Sequence, residues 1–415
     1  MDFPPQLQSA LGLAVFVAIA WALSENRRAF PWQIVVVGIG LQIILAAILL
    51  GVPVMRQALL SLNIVVDAIQ AATAKGSSFV FGYTAGGTPP FEVKNPNAMV
   101  TIAFTVLPIV IVMSALSALL WHWRILPIIV KGFAVVLERS MKIGGALGLG
   151  CASNIFLGQI EAPMLIKPYL EKMTRSELFT LFTCGLANVA GTVLVLFAAV
   201  LTPVLPGALG HIIVASLLSL PASILLAKVM IPGDETTPAT VGEAKLYRST
   251  MDAIATGAED GMKMYLNIIA MLVVMIALVA LANIIVGNVE IAGTPLSFER
   301  ILGWIFAPVV WLIGVPWADA ATAGSLMGTK TVLNEFIAYL NLAALPADAL
   351  SERSKLLMVY AMCGFANLGS VGMMIAGVSA LAPSRRDEIV ELSLLSIIPG
   401  TLSTCMTAAV VGLLP

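Results

Sequence analysis

The chain reads as an all-α integral membrane protein, with eight transmembrane helices plus two re-entrant helical hairpins set in inverted repeats. Composition is the first reason. Of 415 residues, 59% are hydrophobic and only 11% charged, against roughly 25% charged in an ordinary soluble domain, and the mean hydropathy is +0.99. An internal repeat is the second. Cys184-Gly185-Leu186-Ala187-Asn188 returns as Cys363-Gly364-Phe365-Ala366-Asn367, and each copy lies in an apolar run downstream of an acid, Glu161 before the first and Glu335 before the second. The third is a pair of apolar stretches too rich in glycine, proline and carboxylates to face lipid. Two copies of a glycine-broken intramembrane element point to a binding site between them.

Crossing ~30 Å of hydrocarbon takes about 20 apolar residues. Eight segments supply them: 7–24, 32–50, 98–120, 178–202, 208–230, 264–288, 355–380 and 389–413. The first has no basic residue before it and no small-residue cleavage site, so it is expected to stay as a span rather than leave as a signal peptide. Between the second and third, residues 57–75 set apolar side chains at helical spacing with Arg56, Asp67 and Lys75 at the edges, the pattern of a helix lying along the membrane surface. Residues 143–172 are interrupted by Gly144, Gly145, Gly148, Gly150, Pro163 and Pro168, and residues 301–340 by Pro316, Gly324 and Gly328, with Glu161, Asp319 and Glu335 inside. Backbone broken in this way leaves amides that lipid cannot satisfy, so both stretches are read as hairpins that dip in and return among protein or water. The polar stretch 232–262, with Asp234, Glu235, Glu243, Asp252, Glu259 and Asp260, is expected to be a cytoplasmic linker with no binding role.

Charge placement supports two returning hairpins, because cytoplasmic loops collect Lys and Arg. With the N-terminus outside, 15 of the 22 basic residues fall inside, while Lys330 and six others stay outside. A hairpin that crossed once would carry the pair Arg385-Arg386 to the outer side. Both termini are then outside, and the two pentapeptide spans run in opposite directions, so the units 143–230 and 301–413 are inverted copies. Such repeats set a site near the bilayer midplane, between hairpins entering from opposite faces. Around the repeats (143–230 and 301–415), residues 1–142, holding spans one to three and the surface helix, and residues 231–300, holding the linker and span six, are expected to form a scaffold.

A carboxylate at mid-membrane is costly unless paired or wet, so it marks a pathway or a ligand site, or else it bonds free amides at a break. Glu161 and Glu335 carry both readings. Asn188 and Asn367 stand at the breaks, where an Asn either caps a half-helix or offers its oxygen to a ligand or cation. Phe156 is ordinary packing, and only its place in the repeat lifts Phe365 above that. Asp319, after Pro316-Trp317, is expected to cap a helix. Cys151, Cys184, Cys363 and Cys405 lie in apolar runs at no metal-ligand spacing and read as small buried hydrophobes. His122 and His211 are isolated, as satisfied or interfacial histidines are. A formal charge of −1 and no basic tail leave no footprint for nucleic acid. No phosphate loop, nucleophile elbow or metal cluster supports an enzyme.

Three of these motifs resemble those of the concentrative nucleoside transporter family in its bacterial form: Gly158-Gln159-Ile160-Glu161-Ala162-Pro163, Asn334-Glu335-Phe336-Ile337-Ala338-Tyr339 and Cys363-Gly364-Phe365-Ala366-Asn367-Leu368-Gly369-Ser370. They keep the family's order and spacing, and the likeness covers essentially the whole chain. The resemblance implies a homotrimer in the bacterial inner membrane. In each protomer a mobile transport domain moves like an elevator against the scaffold and imports nucleosides with a cation. It further implies that Gln159 and Glu161 contact the nucleobase, with Val193 and Phe365 packed on it, and that Glu335, Asn367 and Ser370 hold the ribose hydroxyls. The Asn154 side chain, the Leu157 carbonyl, the Asn188 side chain and the Val189 carbonyl would hold sodium (Na+). The chemistry agrees, since a carboxylate accepts two hydroxyl donors and an amide both donates and accepts.

Two positions depart from the pattern. Ile160 stands where a hydroxyl residue is common, which removes a polar contact with the base and leaves uridine-type and purine nucleosides both open. Asn188 replaces the usual Ser or Thr, and its amide oxygen still ligates sodium but with more bulk. Proton (H+) coupling through Glu161 or Glu335 is the rival, separated by sodium dependence at fixed pH. An intramembrane enzyme using the two acids would yield a product instead of unchanged substrate. A channel fits two opposed hairpins less well than alternating access does.

Overall fold

A computed structural model describes residues 4–94, 101–233, 236–238, 246–291 and 293–414. The start of the expected third span (98–100) and the linker acids Asp234, Glu235 and Glu243 lie outside the described residues. Among the described residues nineteen α-helices follow in order: α1 (Pro5–Ala22), α2 (Trp32–Ala46), α3 (Pro53–Phe81), α4 (Ile109–His122), α5 (Ile125–Met141), α6 (Gly145–Ser153), α7 (Glu161–Leu165), α8 (Lys167–Leu170), α9 (Arg175–Ala187), α10 (Gly191–Leu201), α11 (Ala208–Met230), α12 (Thr250–Val286), α13 (Phe298–Leu312), α14 (Trp317–Val332), α15 (Glu335–Ala344), α16 (Glu352–Met362), α17 (Leu368–Leu381), α18 (Arg386–Leu395) and α19 (Ile397–Leu413). Two residue pairs, Glu290–Ile291 and Thr294–Pro295, add a small antiparallel ladder.

Among the described residues eight helices are long and apolar enough to cross a membrane, and their membership differs from the expected eight in two places. The stretch 57–75 is the middle of α3, a 29-residue helix that passes the test of length and hydropathy, with Ile64, Val65, Phe79 and Val80 exposed. The expected span 355–380 is not one helix: α16 and α17 are separated by Cys363–Asn367, because Asn367 caps a new helix there. The polar linker also ends sooner than 262. Ser249 caps α12, its Oγ accepting from the Asp252 amide at 3.1 Å, and Glu259 pairs with Lys263 at 2.9 Å along the same helix. The acids at 252–260 therefore belong to the first turns of a 37-residue helix.

The first interrupted stretch folds as α6, a tip over 154–160, and α7–α8. In the second, the boundary moves. Chain direction turns by 116° between α13 and α14, at Ile313–Pro316, where Gly314 takes a positive φ of 108°. The helical pair that carries Glu335 at its tip is α14–α15, so it starts at 317 rather than 301. Gly324 and Gly328 do not interrupt α14. They let α13 lie against it, since a Cβ on Gly324 would come within 2.5 Å of the Gly303 carbonyl oxygen and one on Gly328 within 2.3 Å of the Leu302 Cβ. Gly148 does the same for α6 against α5, facing the Ala134 carbonyl. Each repeat is thus one helix longer than the sequence suggested: helix, hairpin, broken helix, closing helix.

Spans one and two are packed on the repeats. Gln8 of α1 donates to the carbonyls of Trp311 and Val315 at the α13–α14 bend, Ser9 donates to Ile313 at 3.1 Å, and Gly12 lies against the Leu312 carbonyl. In α2, Gly38 meets Leu225 of α11, and the Gln42 amide donates to the Met406 sulfur of α19 at 3.5 Å. A second grouping joins α4 to α12, where a Cβ on Gly257 would stand 2.8 Å from the Ala115 Cα and one on Gly261 2.7 Å from the Ile111 Cα. Glycines four apart allow helices this close approach in membranes. The outer face of α12, with Val273, Ile276, Leu278, Leu281 and Ile284 exposed, is apolar, as a lipid-facing surface must be.

Candidate functional site

The site forms where the two hairpin tips meet the two broken helices. In repeat two, Asn334 caps α15, its Oδ1 accepting from the Ile337 amide at 2.9 Å, and this sets Glu335 in the first turn of that helix. Asn367 caps α17 in the same way through the Ser370 amide at 2.8 Å. The carboxylate is thus placed between two helix N-termini, whose free amides and dipoles favour negative charge. Asn367 has a second use. Its Nδ2 donates to Glu335 Oε2 at 3.0 Å. From the other repeat, Gln159 Nε2 donates to the Ser370 carbonyl at 3.0 Å. A hydrogen-bonded chain therefore runs Gln159, Ser370, Asn367, Glu335 and ties the tip of one hairpin to the tip of the other. All four are nearly or fully buried, and Gln159 Oε1 has no partner among the described residues.

Of the remaining residues expected around a ligand, Val193 is buried and Phe365 half-buried. Glu161 differs from the rest. Its side chain is exposed and folds back over the tip, so that a Cβ on Gly158 would collide with its carboxylate. Ile160 does not point at the chain either. It packs on α17, where a Cβ on Gly377 would lie 2.7 Å from its Cγ2.

The expected cation ligands gather at the ends of α6 and α9. Asn154 Nδ2 donates to the Gly150 carbonyl at 3.1 Å and Asn188 Nδ2 to the Cys184 carbonyl at 3.0 Å, four residues back in each case. Each amide group is thereby turned so that its Oδ1 is left over. Both oxygens are buried and without a partner among the described residues. Gly185 sits beside this pair, 3.7 Å from Asn154 Oδ1 measured from a Cβ built on it. The Leu157 and Val189 carbonyls accept no backbone hydrogen bond among the described residues. Helix C-termini favour cations, and neutral oxygens left unsatisfied in a buried place fit a monovalent metal ion.

The breaks themselves cross back to back. Phe365 donates its amide to the Asn188 carbonyl at 3.2 Å, and Gly191 donates to Phe156 at 3.2 Å. Gly364 allows the first contact, because a Cβ there would stand 2.9 Å from the Ala187 carbonyl oxygen. Asp319 acts as a cap, though for the neighbouring helix: its Oδ2 accepts from the Ser351 amide at 3.1 Å and from the Ser354 hydroxyl at 2.6 Å at the start of α16. The four cysteines are free and buried, and His211 Nδ1 is 2.9 Å from the Tyr360 hydroxyl.

Sequence reasoning missed two features. Thr237 of the linker donates through both its amide and hydroxyl to Glu177, each at 2.7 Å, and its carbonyl accepts from Ala146, so it clasps α6 to α9. Glu177 also closes a capping box with Thr174 at the start of α9. Lys330, counted among outer-loop basic residues, is fully buried in the last turn of α14. A lone lysine in an apolar run was the signal available.

Residues 11–84 and 211–412 match the family models described as the N-terminus and C-terminus of Na+ dependent nucleoside transporters, and residues 103–204 match one described as nucleoside recognition. The chain is 35% identical over 415 residues to the nucleoside permease NupC of Helicobacter pylori, covering 98% of this chain and 97% of that protein. To human sodium/nucleoside cotransporter 1 it is 31% identical over 437 residues, 99% of this chain and 64% of the relative. Among solved structures, CNTnw in an inward-facing substrate-bound state superposes with a TM-score of 0.89 at 35% identity, covering 98% of both chains. A variant of CNTnw in an outward-facing state gives 0.91 at 35% identity, covering 99% of this chain and 97% of that one.

Proposed function

The chain belongs to the Na+-dependent nucleoside transporter family, and from that premise we propose that it is a symporter which imports nucleosides into a bacterial cell on a sodium gradient. It is a multi-pass membrane transporter and not an enzyme. The observation that carries the finer reading is the hydrogen-bonded chain from Gln159 to Glu335. A nucleoside entering there meets two kinds of chemistry at the two ends of one scaffolded row. Glu335, Asn367 and Ser370 offer acceptors and a donor for the ribose hydroxyls, while Gln159, its oxygen unspent, reads the base edge with Val193 and Phe365 packed against it. Glu161 contributes from the open side of the tip. Sodium is held by the oxygens of Asn154 and Asn188 with the carbonyls of Leu157 and Val189. The two orphaned amide oxygens favour a metal ion over a proton there.

Movement follows the packing. Hairpins, broken helices, α11 and α19 travel as one body in an elevator-like step, and α1 and α2 travel with them through the contacts of Gln8, Ser9, Gly38 and Gln42. The fixed frame is α3, α4 and α12, and the exposed apolar faces of α3 and α12 meet lipid and the other copies of a homotrimer. Both termini lie on the outer side of the inner membrane.

Uptake of radiolabelled uridine into vesicles, with and without a sodium gradient at fixed pH, tests the proposal. Accumulation that needs the sodium gradient is expected. Accumulation that ignores sodium and follows an imposed proton gradient would replace the cation by a proton bound at Glu161 or Glu335.

A further inference from the structure

Lys330 is a fully buried charge in the interior of the repeats that the proposed binding chemistry does not use. Its side chain has no exposed surface, and its ammonium has no hydrogen-bond partner among the described residues. The ionisable groups facing it are Glu335 across the hairpin tip, Cys363 at the break of the second broken helix, and Cys405 on α19. Thiols are neutral at physiological pH, so Glu335 is the only anion in that set. Seen from the other side, Glu335 faces Lys330 and Tyr339 and bonds Asn367. Tyr339 is committed elsewhere, donating to the Val359 carbonyl at 3.0 Å. One cation and one anion thus lie five residues apart on either side of a buried tip, and among the described residues each is the charged group that faces the other.

Burying either charge alone is costly, and a group left so neutralises by gaining or losing a proton. We propose that Lys330 is the built-in counter-charge of Glu335, which keeps the carboxylate in its acceptor-only form for the ribose. The chemistry makes the form matter. An ionised carboxylate has acceptor positions for two hydroxyl donors besides the Asn367 amide, whereas a carboxylic acid spends one oxygen on its own O–H and offers a donor where the sugar also offers donors. Lys330 does not touch the nucleoside. It acts through Glu335 and is a positioning residue. The inference rests on the assignment of Glu335 to the ribose.

The test pairs infrared spectroscopy with calorimetry on the purified full-length protein. At neutral pH, Lys330→Met is expected to show the carbonyl stretch of a carboxylic acid that is absent from the wild type and is removed by adding Glu335→Gln. Uridine affinity should fall at least tenfold and recover as pH is raised. Lys330→Arg should keep the wild-type spectrum and affinity. Should Lys330→Met not fold, Lys330→Gln, which keeps a hydrogen-bond donor and loses only the charge, is read in the same way. The proposal is overturned by a carboxylic-acid band from Glu335 already in the wild type. It is equally overturned if either neutral variant shows no such band, whatever its affinity, since lost binding without the band means a purely structural lysine. Glu335→Gln alone separates the two layers: wild-type uridine affinity in that variant removes Glu335 from the ribose site, while the band in Lys330→Met still decides whether the lysine is its counter-charge.

Discussion

Replacing Asn367 by Asp isolates the contact at the centre of the site. The substitution keeps the Oδ1 that accepts from Ser370, and Asp is as good a helix cap as Asn. Only the donor to Glu335 Oε2, at 3.0 Å, becomes an oxygen. Two ionised carboxylates at that separation repel by about 5 kcal/mol at an effective dielectric constant of ~20. At ~1.4 kcal/mol per pH unit the pair should hold one shared proton to about four units above the ordinary carboxylate range, that is, to about pH 8. While the proton is present its O–H replaces the amide donor. The variant is therefore expected to bind uridine within a few-fold of the wild type at pH 6, and to lose about tenfold per pH unit relative to the wild type above about pH 8, because binding then requires the proton. Titration calorimetry from pH 6 to 9.5, expressed as the ratio of variant to wild-type Kd, reads this directly. A ratio that stays flat across the range would show that the Asn367 amide does not face an ionised Glu335 in the binding-competent state.

Three other outcomes follow from the same geometry. Removing the oxygen of either Asn154 or Asn188 by Ala should weaken sodium and nucleoside by the same factor, since the coupling between two sites is reciprocal; wild-type nucleoside affinity independent of sodium would end the assignment. Gly364→Ala puts a Cβ 2.8 Å from the Thr404 methyl and 2.9 Å from the Ala187 carbonyl oxygen, and overpacking of that kind costs about 1–3 kcal/mol. Gly372→Ala in α17 meets nothing within 4 Å and should gain up to about 1 kcal/mol, so thermal unfolding in detergent should move the two variants in opposite directions. Finally, a cysteine at Ile160, with Cys151, Cys184, Cys363 and Cys405 replaced, should change its labelling by an impermeant cytoplasmic reagent when sodium and uridine are added; constant labelling with intact transport would make the inner hairpin static.

The parts of this molecule that were legible in its sequence are those written in a short period. Spans, breaks and the pentapeptide repeat follow from apolar length and from glycine, and the candidate site residues follow from the likeness of the motifs around them to a known family. What was hidden depended on distant neighbours. Gly324 and Gly328 look like helix breakers until Gly303 and Leu302 are seen lying against them. Spans one and two were expected in the scaffold, and nothing local in them announces that Gln8 and Ser9 reach carbonyls of the second repeat some three hundred residues away.

The repeat itself holds the deepest example. The same five-residue pattern ends a helix at Asn188 and begins one at Asn367. In the first copy the helix runs through the pentapeptide, the Asn amide turns back to Cys184, and an oxygen remains for a cation. In the second the helix stops before Cys363, the Asn oxygen turns forward to Ser370, and the amide remains for a carboxylate. Leftover oxygen and leftover amide are opposite chemistries obtained from one residue type by capping opposite helix ends. Because the Asn188 carbonyl accepts from the Phe365 amide, the two ends are joined by a single hydrogen bond. Any shift of one break that a bound ion stabilised would therefore be felt at the other, a direct physical route for coupling the two ligands of the proposed symporter.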